Sequence, residues 1–356
     1  MSAAVRLARQ TVIRWEALLL IAIVAIGAWS TTKSDVFLTR LNLLDLTTPY
    51  VFIGLMAFGL SLVVIAGEID ISVASTLAVS IVCFAQILEA GVNVWLAMLA
   101  GLGVAAVLGC VNGFLVGVLD LPSLAVTLGT LAAFRGLAFV IAGSEAVSTF
   151  PLSYTRIGGG YIHTELPIAL LVLLGFAVVL GVLLHASRFG RYLYAIGSNR
   201  EAARFSGVPV TRARVLVFGL SGFMAGAAGV VYVGYFGSAR ADSADGALLD
   251  VVTVVVLGGV DIFGGSGSML GVFLALVLVA VLRNGMQLAN LGGDTQNIAI
   301  GALLLVAILA GNLARVADTG DIRVRVARWR GREVMRSEDR VVGARAQTEL
   351  ENPKGG

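Results

Sequence analysis

The sequence predicts an all-α, polytopic integral membrane protein of about ten transmembrane helices, with both termini cytoplasmic. Three observations carry this. Apolar residues make up 58% of the 356 and charged residues only 13%, against about 45–50% and about 25% in soluble domains. Several apolar runs reach the roughly 20 residues that cross a bilayer. The basic residues are concentrated in alternate gaps between those runs, the pattern left by the positive-inside rule.

Apolar runs between polar breaks give spans at 15–31, 49–66, 71–90, 93–119, 122–142, 166–186, 214–236, 249–263, 269–290 and 296–314. The eighth is short for a full crossing, and the 93–119 run is long enough to tilt. With the N-terminus inside, the cytoplasmic segments hold three basic residues before the first span, six between 188 and 214 and ten after 314, nineteen of the 25 in all. The opposite orientation would put those nineteen outside, against the rule. The chain therefore divides into a cytoplasmic segment 1–14, a transmembrane domain 15–314 with a polar loop at 187–213, and a basic cytoplasmic tail 315–356. The N-terminus resembles a signal peptide, with "AWS" at 28–30 as a weak cleavage-like site, but removing that helix would spoil the charge pattern. The arginine-rich tail reads as a solvated, topology-enforcing segment, or as a contact for anionic lipid or a partner.

Glycine is abundant (44) and proline scarce (6), which suits close approach of membrane helices. Cys83 and Cys110 lie in apolar runs and read as small buried hydrophobes. His163 and His185 fall in an outer loop and at a span's end. Without a Cys/His cluster no metal site is predicted.

The loop "GSNREAARFSGVPVTRAR" (197–214) is the one long polar interruption of the middle of the chain. Ser198 and Glu201 have capping-box spacing. Gly207 can close a helix in the left-handed conformation, and Pro209 prevents its continuation. About two turns over 199–206 are expected, with Ala202 and Ala203 giving a low profile and Phe205 an anchor. Thr211 is placed to cap the next span. Two readings fit: a connector lying on the membrane surface, or a docking helix that passes a partner's push to both attached spans.

Here the sequence resembles the cytoplasmic coupling-helix motif of the ribose/xylose-type permeases, membrane subunits of bacterial ABC importers for monosaccharides. "GEIDISVASTLAVS" (67–80) resembles that family's segment bearing Gly67, Asp70 and Ser72. "VNGFLVGVLDLPSLAVTLGTLAAFRG" (111–136) and "VLGGVDIFGGSGSMLGVFLALVLVAVLRNGMQL" (256–288), with Gly264, Gly265 and Gly267, resemble two more. The matches occur in order over about residues 50 to 314. The resemblance implies a multi-pass protein of the bacterial inner membrane that pairs with a second copy or a sister permease. An ABC ATPase subunit would dock on Ser198, Asn199, Glu201, Ala202, Ala203, Phe205 and Gly207, and a periplasmic sugar-binding protein would deliver a pentose, hexose, deoxyhexose, polyol or furanoid signal. No cofactor is expected in this chain, since ATP would be bound by the partner, and the sequence has no G-x-x-x-x-G-K-[ST]. Membrane lipid is an expected partner and nucleic acid is not.

Polar groups within the spans mark candidate path or packing positions. Glu68 and Asp70 stand between two apolar runs. They read as lining a broken helix or, preferably, as capping the next helix at the cytoplasmic interface. "GEIDI" (67–71) recurs as "GGVDI" (258–262), which hints at a duplicated helix pair. Arg135 and Arg283 each lie roughly 10 Å of helix from an outer span end, where they would line a path or form ion pairs. Asn112, Thr127, Thr130, Asn284 and Gln287 offer neutral hydrogen-bonding groups. Singly these suit interhelical bonds, and as a set they would suit a sugar path. Outer segments 143–165 and 237–248, with Arg156, Arg240, Asp242 and Asp245, could together meet a binding protein.

Two other functions are weighed. An ion-coupled secondary carrier would use Glu68, Asp70 and Asp261, but has no need of a capped docking helix. A membrane enzyme lacks a nucleophile–base or metal constellation in the spans, so no enzymatic activity is expected.

Overall fold

A computed structural model describes residues 3–46, 48–143, 146–162 and 166–319, without the side chains of 3–14, 45 and 311–319. His163 and tail residues 320–356 lie outside the described residues. Fourteen α-helices are described: α1 (Ala3–Thr31), α2 (Arg40–Asp45), α3 (Val51–Ile65), α4 (Val73–Glu89), α5 (Val94–Gly117), α6 (Ser123–Ala142), α7 (Leu152–Gly159), α8 (Ile168–Ala186), α9 (Arg188–Ser198), α10 (Arg200–Phe205), α11 (Val210–Phe236), α12 (Ala247–Leu257), α13 (Met269–Leu288) and α14 (Gly293–Thr319). A two-residue antiparallel ribbon, β1 (Tyr161–Ile162) with β2 (Leu166–Pro167), pairs Tyr161 with Pro167 and Ile162 with Leu166. Residues up to Leu305 form one compact unit, and Val306 begins a second.

Among the described residues seven helices are long and apolar enough to cross a membrane, and three shorter apolar helices begin at Trp15, Val73 and Ala247. Each of the ten apolar runs of the sequence overlaps one of these segments, seven of which have the length to cross. Local corrections concern the ends. Span 214–236 begins four residues earlier, directly after Pro209, so Thr211 sits inside the first turn of α11 instead of capping it. Run 249–263 is helical only to Leu257; eleven residues rise about 16 Å, roughly half a bilayer core. Loop 187–213 contains an additional helix, α9.

The centre is built from α3 and α11. Helix α3 is apolar on every side, and fourteen of its fifteen residues are buried, as an all-round hydrophobic helix requires. It packs against α11, α12, α8 and α13. Helix α11 lies along α5, where Gly101, Ala105, Gly109, Gly113 and Gly117 recur every fourth residue and form a smooth stripe. A Cβ on Gly109 would lie 2.3 Å from the Phe218 carbonyl oxygen, and one on Gly113 2.8 Å from the Val215 Cα. Backbones can meet this closely only along such a small-residue stripe. The other faces of α5 and α6 carry exposed Leu96, Leu99, Val107, Leu124, Leu128 and Val140, the surface a lipid-facing helix needs.

Both "GEIDI" and "GGVDI" follow a short central helix that ends in the same way. At Gly67 (φ +78°) and Gly259 (φ +77°) the chain turns left-handed, and the next amide reaches back, Glu68 N to Val63 O and Val260 N to Val255 O. Asp70 and Asp261 then each accept the amide two residues on, Ser72 N at 3.0 Å and Phe263 N at 2.8 Å. The two breaks share their devices, with the aspartate one residue nearer the turn in the second.

Candidate functional site

The polar loop folds into two short helices set end to end. Ser187 caps α9 by accepting the Gly190 amide, and Asn199 caps α10, its Oδ1 accepting Ala202 N at 2.9 Å. The capping-box reading of Ser198 is thereby corrected. Ser198 is the last residue of α9, whereas Asn199 is extended (φ −161°, ψ 106°), as an N-cap must be. Gly207 closes α10 at φ +80°, and Val208 N returns to Ala203 O at 3.1 Å, the Schellman ending expected from Gly207 and Pro209. Helix α10 is six residues long. Ala203 does not join an exposed alanine face: it packs inward with Ile196, Val210 and Ala213. Glu201 and Ala202 face outward, and Phe205 is 90% exposed. Replacing Asn199 with alanine is expected to cost about 0.5–2 kcal/mol, read as a lower melting temperature of the purified protein.

Three glycine segments meet beside the start of α10. A Cβ on Gly197 would lie 2.0 Å from Ile65 O and 2.4 Å from Gly265 N, and one on Gly264 2.7 Å from the Gly67 Cα. Gly265 N donates to Ile65 O at 2.9 Å. The end of α9, the α3–α4 break and the α12–α13 loop thus touch backbone to backbone. The first turns of the membrane unit close the same end: Trp15 Nε1 donates to Leu257 O and Ser268 Oγ to Glu16 Oε1.

Charge binds this end as well. Arg214, in the second turn of α11, is buried, with Nε 2.6 Å from Glu68 Oε1 and Nη1 2.9 Å from Asp120 Oδ1. Asp120, in the turn between α5 and α6, also pairs with Arg200, the first residue of α10. Glu68 therefore serves as the buried partner of Arg214, not as a helix cap. Arg200 and then Arg214 hold the Asp120 carboxyl down at about 2, from 3.8. Because the folded value is the lower one, the link is complete above pH 3.8 and is lost only as pH falls through about 2.

Asp70 sits deeper. It is buried and accepts Ser72 N, Ser72 Oγ at 2.7 Å and Ser221 Oγ at 3.1 Å, while Asn112 Nδ2 donates to Ser72 Oγ at 2.8 Å. The carboxylate thus organises the start of α4 and joins it to α5 and α11. Thr127 Oγ1 donates to Ser123 O and Ile69 O, and Thr130 to Thr127 O. Asn112 and Thr127 are buried among helices. Asn284 exchanges two hydrogen bonds with Asn42, and Gln287 is exposed.

Each intramembrane arginine has a carboxylate. Arg283 Nη2 is 2.6 Å from Asp250 Oδ1 and reaches Asn297. Arg135 bonds Ala241 O and Ser243 O and pairs with Asp245 at 3.1 Å. Segments 146–162 and 237–246 are brought together through the Val147–Ala239 bridge. There Arg240 pairs with Asp242, and Arg156 is exposed.

A bundle with broken central helices and a capped polar helix pair at one end has the architecture of a transport permease, and the comparisons agree. The family model "Branched-chain amino acid transport system / permease component" matches residues 42–308. The "Autoinducer 2 import system permease protein LsrD" of Escherichia coli (strain K12) is 34% identical over 310 residues, 84% of this chain and 92% of that protein. Its namesake in Photorhabdus luminescens is 31% identical over 330 residues, 90% of this chain and 97% of that protein. No solved structure matches. The chain belongs to this permease family. It is a multi-pass inner-membrane permease subunit of an ABC importer, the class of subunit that works with an ATPase and a substrate-binding protein.

Proposed function

We propose that α10 is the helix on which the partner ATPase docks, and that the end of the bundle bearing α9 and α10 faces the cytoplasm. One observation carries the reading. A six-residue helix, capped at both ends, packs Ala203 into the bundle and presents Glu201, Ala202 and Phe205 outward. A 90% exposed phenylalanine on so short a helix suits insertion into a partner's cleft. Aromatic anchors of this kind dominate interface energetics. The positive-inside count supports the orientation. ATP is bound and hydrolysed by the partner, and the permease pairs with a second copy or a sister chain. The opposite end, with 146–162 and 237–246 side by side, receives a sugar-loaded binding protein. The cargo is a monosaccharide or a related furanoid signal, a reading supported by relatives named for the import of autoinducer 2.

Polar groups at the α3–α4 break, Asp70, Ser72, Asn112 and Thr127, move with that break when α10 is displaced and are proposed to border the path in another state of the cycle. Arg135, Arg283, Asn284 and Gln287 are proposed to shape its other end.

The test is co-purification. ATPase activity is expected to accompany the detergent-solubilised wild type and to fall roughly tenfold or more, the effect of losing a hot-spot anchor, in a Glu201→Arg, Phe205→Asp variant with unchanged membrane insertion. Equal ATPase activity with both would remove α10 from the interface. Solute movement by the purified permease alone, driven by an ion gradient, would establish a secondary carrier in its place.

A further inference from the structure

We infer that Arg200, Asp120, Arg214 and Glu68 are positioning residues that tie the docking helix to the α3–α4 break and make the two move together. The inference rests on α10 being the docking helix. The four residues come from four separate elements: the first residue of α10, the α5–α6 turn, the second turn of α11 and the α3–α4 break. Three consecutive ion pairs join them. Side-chain exposure falls from 44% at Arg200 and 62% at Asp120 to 3% at Arg214 and 9% at Glu68, so the chain of charge leads from solvent into the bundle.

The glycine junction cannot do this alone. Van der Waals contact between backbones resists compression but offers little against separation, because dispersion fades within about an ångström of extra distance. Gly197 against Ile65 and Gly265 can therefore pass on a push. When a docked ATPase draws α10 away, the attraction has to be longer-ranged, and opposite charges supply it. Asp120 is the member on which both sides converge, because one oxygen, Oδ1, meets Arg200 and Arg214. Its backbone is left-handed (φ +56°), a conformation rare in residues other than glycine and retained where the surroundings over-determine it. Asparagine tolerates that conformation as well as aspartate does. Asp120→Asn therefore removes the charge and leaves the turn in place.

The experiment uses the permease–ATPase complex purified from membranes, with spin labels at Arg204→Cys on α10 and Ile71→Cys beside the break, in a Cys83→Ser, Cys110→Ser background. Distances are measured before and after trapping with ATP and vanadate. The linked wild type is expected to keep one narrow distance through closure. Asp120→Asn is expected to shift or broaden it by about 2 Å, the scale of helix shifts in switching proteins, with the same amount of ATPase co-purified. Arg200→Lys, which keeps the charge, should hold the wild-type distance. Raising salt from about 0.1 M to about 1 M shortens the Debye length from about 10 Å to about 3 Å, and should make the wild type behave like Asp120→Asn while leaving that variant unchanged. Equal distances in Asp120→Asn and wild type after trapping would overturn the inference. So would loss of the ATPase from Asp120→Asn, which would make Asp120 a docking residue. Absence of ATPase from the wild type itself is a different result, and it would overturn the docking reading and this inference with it.

Discussion

Arg214→Ala is expected to destabilise the folded protein by about 3–5 kcal/mol, the usual cost of removing one partner from a buried ion pair. Arg214 and Glu68 have side-chain exposures of only 3% and 9%, with Nε 2.6 Å from Oε1. With the guanidinium gone, Glu68 would have to stay charged without a partner, bind a proton, or draw water into the α3–α4 break. Each option loosens the junction where α3, α4 and α11 meet. The measurement is thermal melting in detergent together with the amount of monodisperse protein recovered from membranes. Wild-type stability in Arg214→Ala would mean that water already solvates Glu68. A paired change separates stability from coupling. Glu68→Leu with Arg214→Met replaces both charges by apolar groups of similar length, which is often neutral or stabilising for a buried pair. The double variant should therefore regain most of the lost stability. It should still fail to couple ATP hydrolysis to uptake, because Asp120 then has no charged partner inside the bundle.

How much of this was legible depends on the range of the interaction. The spans were readable because hydropathy is a local property and lipid permits few alternatives to an apolar helix. The closure at Gly207 was readable for the same reason, since a helix end is written in the four or five residues around it, whereas the apolar run 249–263 passed unbroken through the left-handed turn at Gly259. Adjacent cap candidates were harder. Ser198 and Asn199 both satisfy the cap chemistry, and the choice fell to Asn199 because α9 runs through Ser198. Helix α9 itself went unseen although Phe189, Leu193 and Ile196 recur at helical spacing and pack inward, because its eleven residues are too short and too polar on the other face to register as a span. Arg214 counts in sequence as one more cytoplasmic charge. Its partners Glu68 and Asp120 lie 146 and 94 residues away, and no pattern in a single sequence relates them. Arg135 and Arg283 stood out in the sequence as charges within apolar spans, but the carboxylates that hold them, Asp245 and Asp250, come from the neighbouring α11–α12 region. Local chemistry gave the elements, and tertiary contact decided which charges meet.

Gly197→Ala is the smallest change with a large expected effect, and competing magnitudes decide its sign. In an unpacked helix, exchanging glycine for alanine stabilises by about 1 kcal/mol. Gly129, in α6 with open space around its Cα, should show that gain. At Gly197 the new methyl would stand 2.0 Å from Ile65 O, 2.4 Å from Gly265 N and 3.1 Å from the Gly264 carbonyl carbon. These are backbone atoms of two other segments, so no side chain can turn away to make room. Relief requires moving α9 off the α3 terminus or opening the Gly265–Ile65 hydrogen bond, and overpacking of this kind costs about 1–3 kcal/mol or more. The clash outweighs the propensity gain, so Gly197→Ala should melt lower than wild type while Gly129→Ala melts at or above it. Function should suffer more than stability. Separating these backbones opens the contact through which α10 pushes on the break, and ATP-driven uptake should fall even at temperatures where the variant is fully folded. If Gly197→Ala transported normally, a compressive path through the glycine junction would be excluded, and the ion pairs through Asp120 would have to carry both directions of the stroke.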